Sequence, residues 1–443
     1  MKKRYDSYKP SGIDWIGDIP SHWVSKRLRY VCEFRNGYTP SKANGDYWSE
    51  GTIPWYRMED IRESGRFLKE SKQYVSTEAV KGGGLFEAGS FILATTATIG
   101  EHAMLIVDSL ANQRFTNLKI RKSLSHTVTK EFFFYYLFVI DEFCKSTTKT
   151  TTFPAMDMTD LRNLGVSIPP LAEQEAIAAW LDEKCGEIDA AIAKVDREIE
   201  LIDELKQSEI SRVVTRGLNP DTPLRPSGID WIGDVPEHWF NTRIKFNILR
   251  SAAGVWGDDE KGDENDIVCF RIADFDYDER CLSTEKITIR NIESKQLEGR
   301  YLSKGDLLIE KSGGGESTPV GRVVYCNYNG KATYTNFIHS ITLSDSVDSR
   351  FFLYYFNMLY SNKINLLFFN QTTGLQNLQV SDYLGQSICL PPLSEQQAIA
   401  DYLDKKCAEI DGLKAKLSKK RETLTELRQS IISEVVTGKR KVI

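Results

Sequence analysis

Two stretches of this chain place apolar residues at every third or fourth position. In the first, Ile177, Leu181, Cys185, Ile188, Ile192, Val195, Ile199 and Ile202 form one stripe. In the second, Ile399, Leu403, Cys407, Ile410, Leu413, Leu417, Leu424, Leu427 and Ile431 do the same, with Lys420 interrupting. Charged residues fill the other positions, the pattern of long helices paired as a coiled coil. Neither stretch has an internal proline, and Gly186 and Gly412 are single weak points. Each ends in Val-Val-Thr with a glycine just beyond, Gly217 and Gly438, suited to cap it. At about 1.5 Å per residue, a helix of about 45 residues is roughly 65–70 Å long.

The stripes belong to a larger repetition. Residues 10–23, PSGIDWIGDIPSHW, return at 226–239 as PSGIDWIGDVPEHW, differing only at Ile19/Val235 and Ser21/Glu237. Residues 169–215 and 391–437 share 27 identities in 47 positions. Between the copies lie two divergent stretches, 24–168 and 240–390. Short β-rich segments such as SFILATT, HAMLIVD, GDLLIEK and HSITL alternate there with the aromatic stretches 130–143 and 349–369, expected to pack an α/β core. The divergent stretches keep a skeleton: WYRMEDI (55–61) aligns with CFRIADF (269–275), and Gly100 with Gly321 at the end of a loop five residues longer in the second copy.

The expected fold class is therefore α+β. Two α/β domains are separated by two long antiparallel helices in a coiled coil, with internal pseudo-two-fold symmetry. The segments run 1–23 (shared scaffold), 24–168 (first variable domain), 169–217 (central helix), 218–239 (linker and repeated element), 240–390 (second variable domain) and 391–443 (C-terminal helix). The sequence before Pro10 and after Val436 resembles the internal linker cut open, which predicts termini lying close together.

Composition narrows the class. The chain has 443 residues, 41% hydrophobic and 27% charged, the balance of a globular protein of two or three units. No run of about 18 apolar residues predicts a membrane span, and MKKRYDSYKPSG lacks the apolar core of a secretory signal, so a cytoplasmic setting is expected. Eight cysteines without CxxC spacing read as reduced, packed thiols. A net charge of −5 requires that any DNA-binding surface be locally segregated or completed by a partner.

Catalytic signatures are missing. SGGGESTPVG (312–321) lacks the Gly-Lys-Ser/Thr ending of a phosphate-binding loop, and no HExxH or GxGxxG occurs. The five histidines offer little for a metal, and His22 and His238, each beside a tryptophan, read as packing residues. The remaining polar clusters fit recognition. Lys, Ser and Thr suit phosphates, and Arg, Asn and Gln suit base edges. The candidates are Arg57, Thr95, Thr96, Thr98, Gln113, Arg114, Lys149 and Thr150 in the first copy. In the second they are Arg271, Lys311, Ser312, Ser317, Thr318, Asn336, Gln371, Thr372, Gln376 and Asn377. For Arg57 and Arg271, beside retained acids, an internal ion pair competes with base contact. Repeated in both copies, Trp15, Trp231, Glu173, Gln174, Glu395 and Gln396 read as structural or partner-docking residues.

The PSGIDWIGDIPxHW openings, the IPWYRMEDI segment, the VGRVV/TIGEHA turns and the PPLxEQxAIAxxLDxKCxEID helix starts together resemble the specificity (S) subunit of type I restriction-modification systems, end to end. The resemblance implies two target recognition domains, each reading half of a bipartite site in double-stranded DNA, and helices that set the spacer and dock two methyltransferase subunits. It implies a non-catalytic chain without its own cofactor. S-adenosylmethionine would belong to the methyltransferase, ATP and Mg2+ to accompanying restriction subunits. A coiled-coil scaffold, or the specificity subunit of a related non-restriction defence system, is the alternative.

Overall fold

A computed structural model describes residues 4–147, 155–315, 317–372 and 375–442, with only the backbone described for Ser64, Gln371 and Thr372. The chain divides into two units. One comprises the chain up to Asp196 and again from Ser418, and the other is Arg197–Leu417. Both boundaries fall inside long helices, Leu171–Arg216 and Leu393–Val436, so each unit holds part of each helix.

The units follow one plan. In the first, a five-stranded sheet runs Cys32–Asn36, Phe115–Ile120, Phe91–Ala94, His102–Leu105, Phe67–Leu68 in spatial order. A smaller sheet pairs Ile53–Tyr56 in parallel with Leu110–Ala111. In the second, the large sheet runs Ile248–Ala253, Ile338–Leu343, Leu307–Glu310, Val323–Tyr325, then two short strands. Its smaller sheet likewise pairs Asp266–Phe270 in parallel with Ala332–Tyr334. Each core is closed by an aromatic helix, Lys130–Thr147 or Ser349–Ser361. Residues 132–140 of the first are buried without a break, as expected for a helix enclosed on all sides. None of the eight cysteines, all among the described residues, forms a disulfide, and seven are buried; burial pushes thiols such as Cys185 and Cys326 up to about 11.

The repeated helix starts act as clasps. A ring nitrogen of His22 lies 2.8 Å from Oε2 of Glu173, and Trp23 Nε1–H donates to the same oxygen at 3.1 Å. His238 and Trp239 meet Glu395 through separate oxygens, Oε2 at 2.7 Å and Oε1 at 3.2 Å. The next residue ties down the aromatic helix. Gln174 accepts from the Thr129 N–H at 2.9 Å and donates to the Pro169 carbonyl at 2.8 Å. Gln396 accepts from the Asp348 N–H at 3.0 Å and donates to the Pro391 carbonyl at 2.9 Å. Just over two turns further on, Asp182 and Asp404 accept the hydroxyls of Tyr135 and Tyr354 at 2.6 and 2.8 Å.

The far end of the opposite helix completes each core. Ile432, Val435 and Val436 pack with Trp23 and Ile19 in the first unit, and Ile210, Val213 and Val214 pack with Trp239 and Val235 in the second. Gly438 is left-handed (φ +78°), and a Cβ there would sit 2.3 Å from Pro20. The Tyr8 hydroxyl donates to the Gly438 carbonyl at 3.2 Å, so residues near the two ends meet within the first unit.

Within each unit the long helices pair antiparallel. Asp189 and Asp196 meet Arg428 and Arg421 in the first, at 2.8 and 2.6 Å. Asp203 meets Lys414 at 2.8 Å, and Lys206 meets Asp411 at 2.6 Å, in the second. The acids at 189, 196 and 203 advance by heptads while their partners at 428, 421 and 414 recede by heptads, the register of an antiparallel coil. The apolar stripe departs from expectation in the second helix. Leu413 and Leu427 are about half exposed, because ion pairs rather than leucines occupy the contact there.

Gln174→Ala and Gln396→Ala should each destabilise the chain by about 1–3 kcal/mol, because each strands a backbone N–H and a carbonyl inside the core. Urea unfolding measures this, with the exposed Lys416→Ala expected within about 0.5 kcal/mol of the parent.

Candidate nucleic-acid interface

The candidate residues sit on one backbone frame built twice. After the edge strand of each large sheet comes a glycine, Gly37 or Gly254. Its N–H donates to the Phe115 carbonyl (2.8 Å) or the Ile338 carbonyl (3.1 Å). A Cβ on Gly37 would lie 2.0 Å from the Asn112 carbonyl oxygen, and one on Gly254 2.2 Å from that of Thr335, so only glycine fits. Opposite lies a four-residue turn, Asn112 to Phe115 or Thr335 to Ile338, closed by an N–H to carbonyl bond of 3.1 or 2.9 Å. Its first N–H bonds the carbonyl just before the retained arginine, Tyr56 or Phe270, at 3.0 Å in both copies. Thr39 and Trp256, Arg57 and Arg271, Gln113 and Asn336, Arg114 and Phe337 are therefore structural equivalents.

In the first unit the turn carries Gln113 and Arg114, both exposed. Gln113 Oε1 accepts from the Thr39 hydroxyl, and the Arg114 guanidinium has no side-chain partner among the described residues. Thr95 is buried. Its N–H donates to the Arg114 carbonyl at 2.9 Å and its hydroxyl pairs with Thr116 at 3.1 Å, so it supports the turn rather than presenting a hydroxyl. Thr96 and Thr98 are half-buried in the same loop, and Thr96 bridges to Ala155. Arg57 opens a short helix, its N–H held by the Asp60 carboxylate and its guanidinium paired with Glu59. Lys149 and Thr150 lie outside the described residues.

In the second unit the retained arginine is committed to its own acid. Arg271 donates through Nη2 and Nε to Asp274 at 2.8 and 3.2 Å, and that hydrogen bonding raises its already high pKa. The alternative of an internal ion pair is thus realised for Arg271 with Asp274, and for Arg57 with a different acid. Lys311 N–H donates to the Phe337 carbonyl at 2.8 Å, matching Thr95 and Arg114, and the Lys311 side chain is half-buried. Ser312 is buried and donates to Asn377 at 2.6 Å. Gln376 is also buried: its Oε1 accepts from the Val320 N–H at 3.1 Å and its Nε2 donates to the Gly315 carbonyl at 3.3 Å. Ser312 and Gln376 therefore shape the glycine-rich loop, whose tip exposes Ser317 and Thr318. Glu310, buried and bonded to Arg322 at 2.8 Å, closes the loop's neck. Asn336 is exposed, and the strand Phe369–Thr372 that carries Gln371 and Thr372 pairs with Leu375–Leu378.

The proposed docking residues lie deeper than a docking surface requires. Glu173, Gln174 and Gln396 are buried, with Glu173 Oε2 and the two glutamine amides spent on the clasps. Glu395 is half-buried in the same role. Trp15 and Trp231 are half-buried against Phe143 and Tyr355. The repeat holds these residues for internal reasons. Sequence reading missed Thr39 and Trp256; the signal was the glycine two residues before each, at the end of a strand.

The described residues include no helix long and apolar enough to cross a membrane and no cluster of potential metal ligands. The family model for the type I restriction modification DNA specificity domain matches residues 20–200 and 258–420. The specificity subunit of the type I restriction enzyme EcoprrI from Escherichia coli is 44% identical over 163 residues, which is 35% of this chain and 41% of that protein. That match thus spans less than half of the relative's length. The MjaVIII specificity subunit of Methanocaldococcus jannaschii is 23% identical over 96% of this chain and 94% of its own. A solved structure from work on complex assembly and conformational transition of the type I R-M system superimposes with a TM-score of 0.66, at 18% identity, over 94% of this chain and 98% of that one. At that identity the likeness is one of fold.

Burial, aided by Lys311, lowers the pKa of His339 from 6.5 to about 4, and its Nε2 lies 2.7 Å from the Ser251 hydroxyl. The folded state binds fewer protons than the unfolded state between those values, so stability is present above pH 6.5 and is lost as pH falls toward 4. His339→Gln should flatten that part of the pH dependence, read from urea midpoints between pH 7 and pH 5.

Proposed function

The chain belongs to the type I restriction-modification DNA specificity family, and from that membership we propose that each unit reads one half of a bipartite DNA target. One observation carries this reading: the turn frame is built twice, and its exposed positions differ in chemistry between copies. A frame held by backbone bonds and an obligatory glycine tolerates exchange of Gln113 and Arg114 for Asn336 and Phe337 without refolding. A specificity element needs that independence.

In the first unit, Arg114 and Gln113 have the types that read base edges in the major groove, with arginine suited to two-pronged donation to guanine. Ser317, Thr318 and Lys311 in the second unit suit phosphates, which position without specifying. Chemistry would rest with methyltransferase subunits, one for each copy of the shared scaffold, in a cytoplasmic complex. Such enzymes extract the target base from the stack, so the flipping pocket for methylation would be theirs. They would also supply positive charge that this chain, at −5, does not carry in net. The paired helices would set the unspecified spacer.

Arg114→Ala should relax the first half-site alone, weakening discrimination there by about 1–3 kcal/mol. Mapping methylated adenines across a genome, after co-expression with the neighbouring methyltransferase, checks this. Degeneracy in both half-sites would contradict the two-reader arrangement. Removing one heptad from each long helix should shorten the spacer or abolish methylation, and an unchanged spacer would defeat the ruler role.

A further inference from the structure

The frame that presents polar groups in the first unit encloses an apolar slot in the second. A cavity of about 470 Å3 lies between Trp256, Arg271, Ile272, Ala273 and the turn residues Thr335, Asn336 and Phe337. Its two aromatic walls are 40% and 41% exposed, unusual for large rings with no partner on that side. Trp256 is fixed in place. The Arg290 guanidinium carbon sits 4.1 Å from its ring centroid. That guanidinium is itself locked by the carbonyls of Trp256 (3.3 Å) and Gly257 (2.9 Å) and by Asp259. Trp256 is thus a preformed stacking surface, so little ordering entropy is lost on contact.

Charge limits what can enter. Asp258, Asp259 and Glu260 lie just beyond Gly257, and Asp258 pairs with Lys261 and Asp259 with Arg290, so this edge of the slot offers no free cation to hold a phosphate. Arg271 on the floor is neutralised by Asp274. A neutral planar group fits, whereas a sugar-phosphate backbone does not. The Asn336 amide, exposed and without a side-chain partner among the described residues, stands at the rim where a base edge would lie.

Resting on the reading of this unit as a DNA reader, we propose that the slot holds one unstacked nucleobase of the second half-site, stacked on Trp256 and bounded by Phe337, with Asn336 at its hydrogen-bonding edge. The slot is supplied by the recognition chain itself. The two half-sites are then read by different physics, hydrogen bonding in the groove for one and extraction of a base for the other. Aromatic stacking of the base on Trp256 offsets much of the cost of unstacking it.

The test uses the complex with its methyltransferase and duplexes carrying the mapped target. Each base pair of the second half-site is turned into a mismatch in turn, by changing one strand only. Because a mismatch removes part of the unpairing cost, binding should tighten about tenfold or more at one position besides the methylated adenine. That gain should vanish in Trp256→Ala and persist in Trp256→Phe, while the gain at the methylated adenine survives both. If no second position tightens, the slot holds no extracted base. The proposal is also overturned if replacing thymine by deoxyuridine weakens binding in a manner that depends on Phe337, with no mismatch gain. That result would place an intact-duplex methyl group at the slot. A complex that does not prefer the matched duplex over a scrambled one refutes the underlying DNA reading as well, and so separates the two failures.

Discussion

The fold depends on a glutamate–glutamine pair at the start of each long helix. Glu173 and Gln174 are both buried, and a buried carboxylate is tolerable only where it is paired and hydrogen-bonded. Glu173 meets that condition by gathering His22 and Trp23 from the N-terminal segment. Gln174 gathers the start of the aromatic helix and the proline turn that precedes its own helix. Two segments distant in sequence, and the adjoining proline turn, are thus fixed to one helical turn. The same pair at 395 and 396 repeats the arrangement in the second unit.

This explains why the chain can repeat some parts closely and let others drift. The clasp tryptophans, the VVT helix ends and the hairpins share one apolar core in each unit, so a change in one disturbs the packing of the others. The turn residues at 113–114 and 336–337 contribute side chains to solvent, while their backbone bonds are independent of residue type. Divergence therefore concentrates where it costs least stability, which is where we propose recognition to lie. The result is an exposed polar turn on one copy and an aromatic-walled slot on the other.

Much of the fold was legible in the sequence. Heptad spacing predicted both long helices, and the linear order of repeats predicted their antiparallel pairing, which the ion pairs at 189/428 and 203/414 display. The buried aromatic helices followed from their composition. The site was less legible. Thr95, Ser312 and Gln376 carry types that suit DNA, yet they are buried supports, because a loop's polar residues must first satisfy the loop's own backbone. Trp256 passed unnoticed because it is a single aromatic in an acidic stretch, and its role depends on Arg290 and Phe337 from other segments.

The duplicated plan, the helix pair and the family follow from residue order alone, because these rest on periodicity and repetition along one dimension. Tertiary structure decided which polar residues face out. Glu173, Gln174 and Gln396 turned from a docking surface into the core, and Leu413 and Leu427 turned outward. Tertiary structure also decided that matching turns enclose different chemistry. The physical reason is that exposure and partner choice depend on segments far apart in the chain, brought together only when backbone bonds and buried clasps have closed.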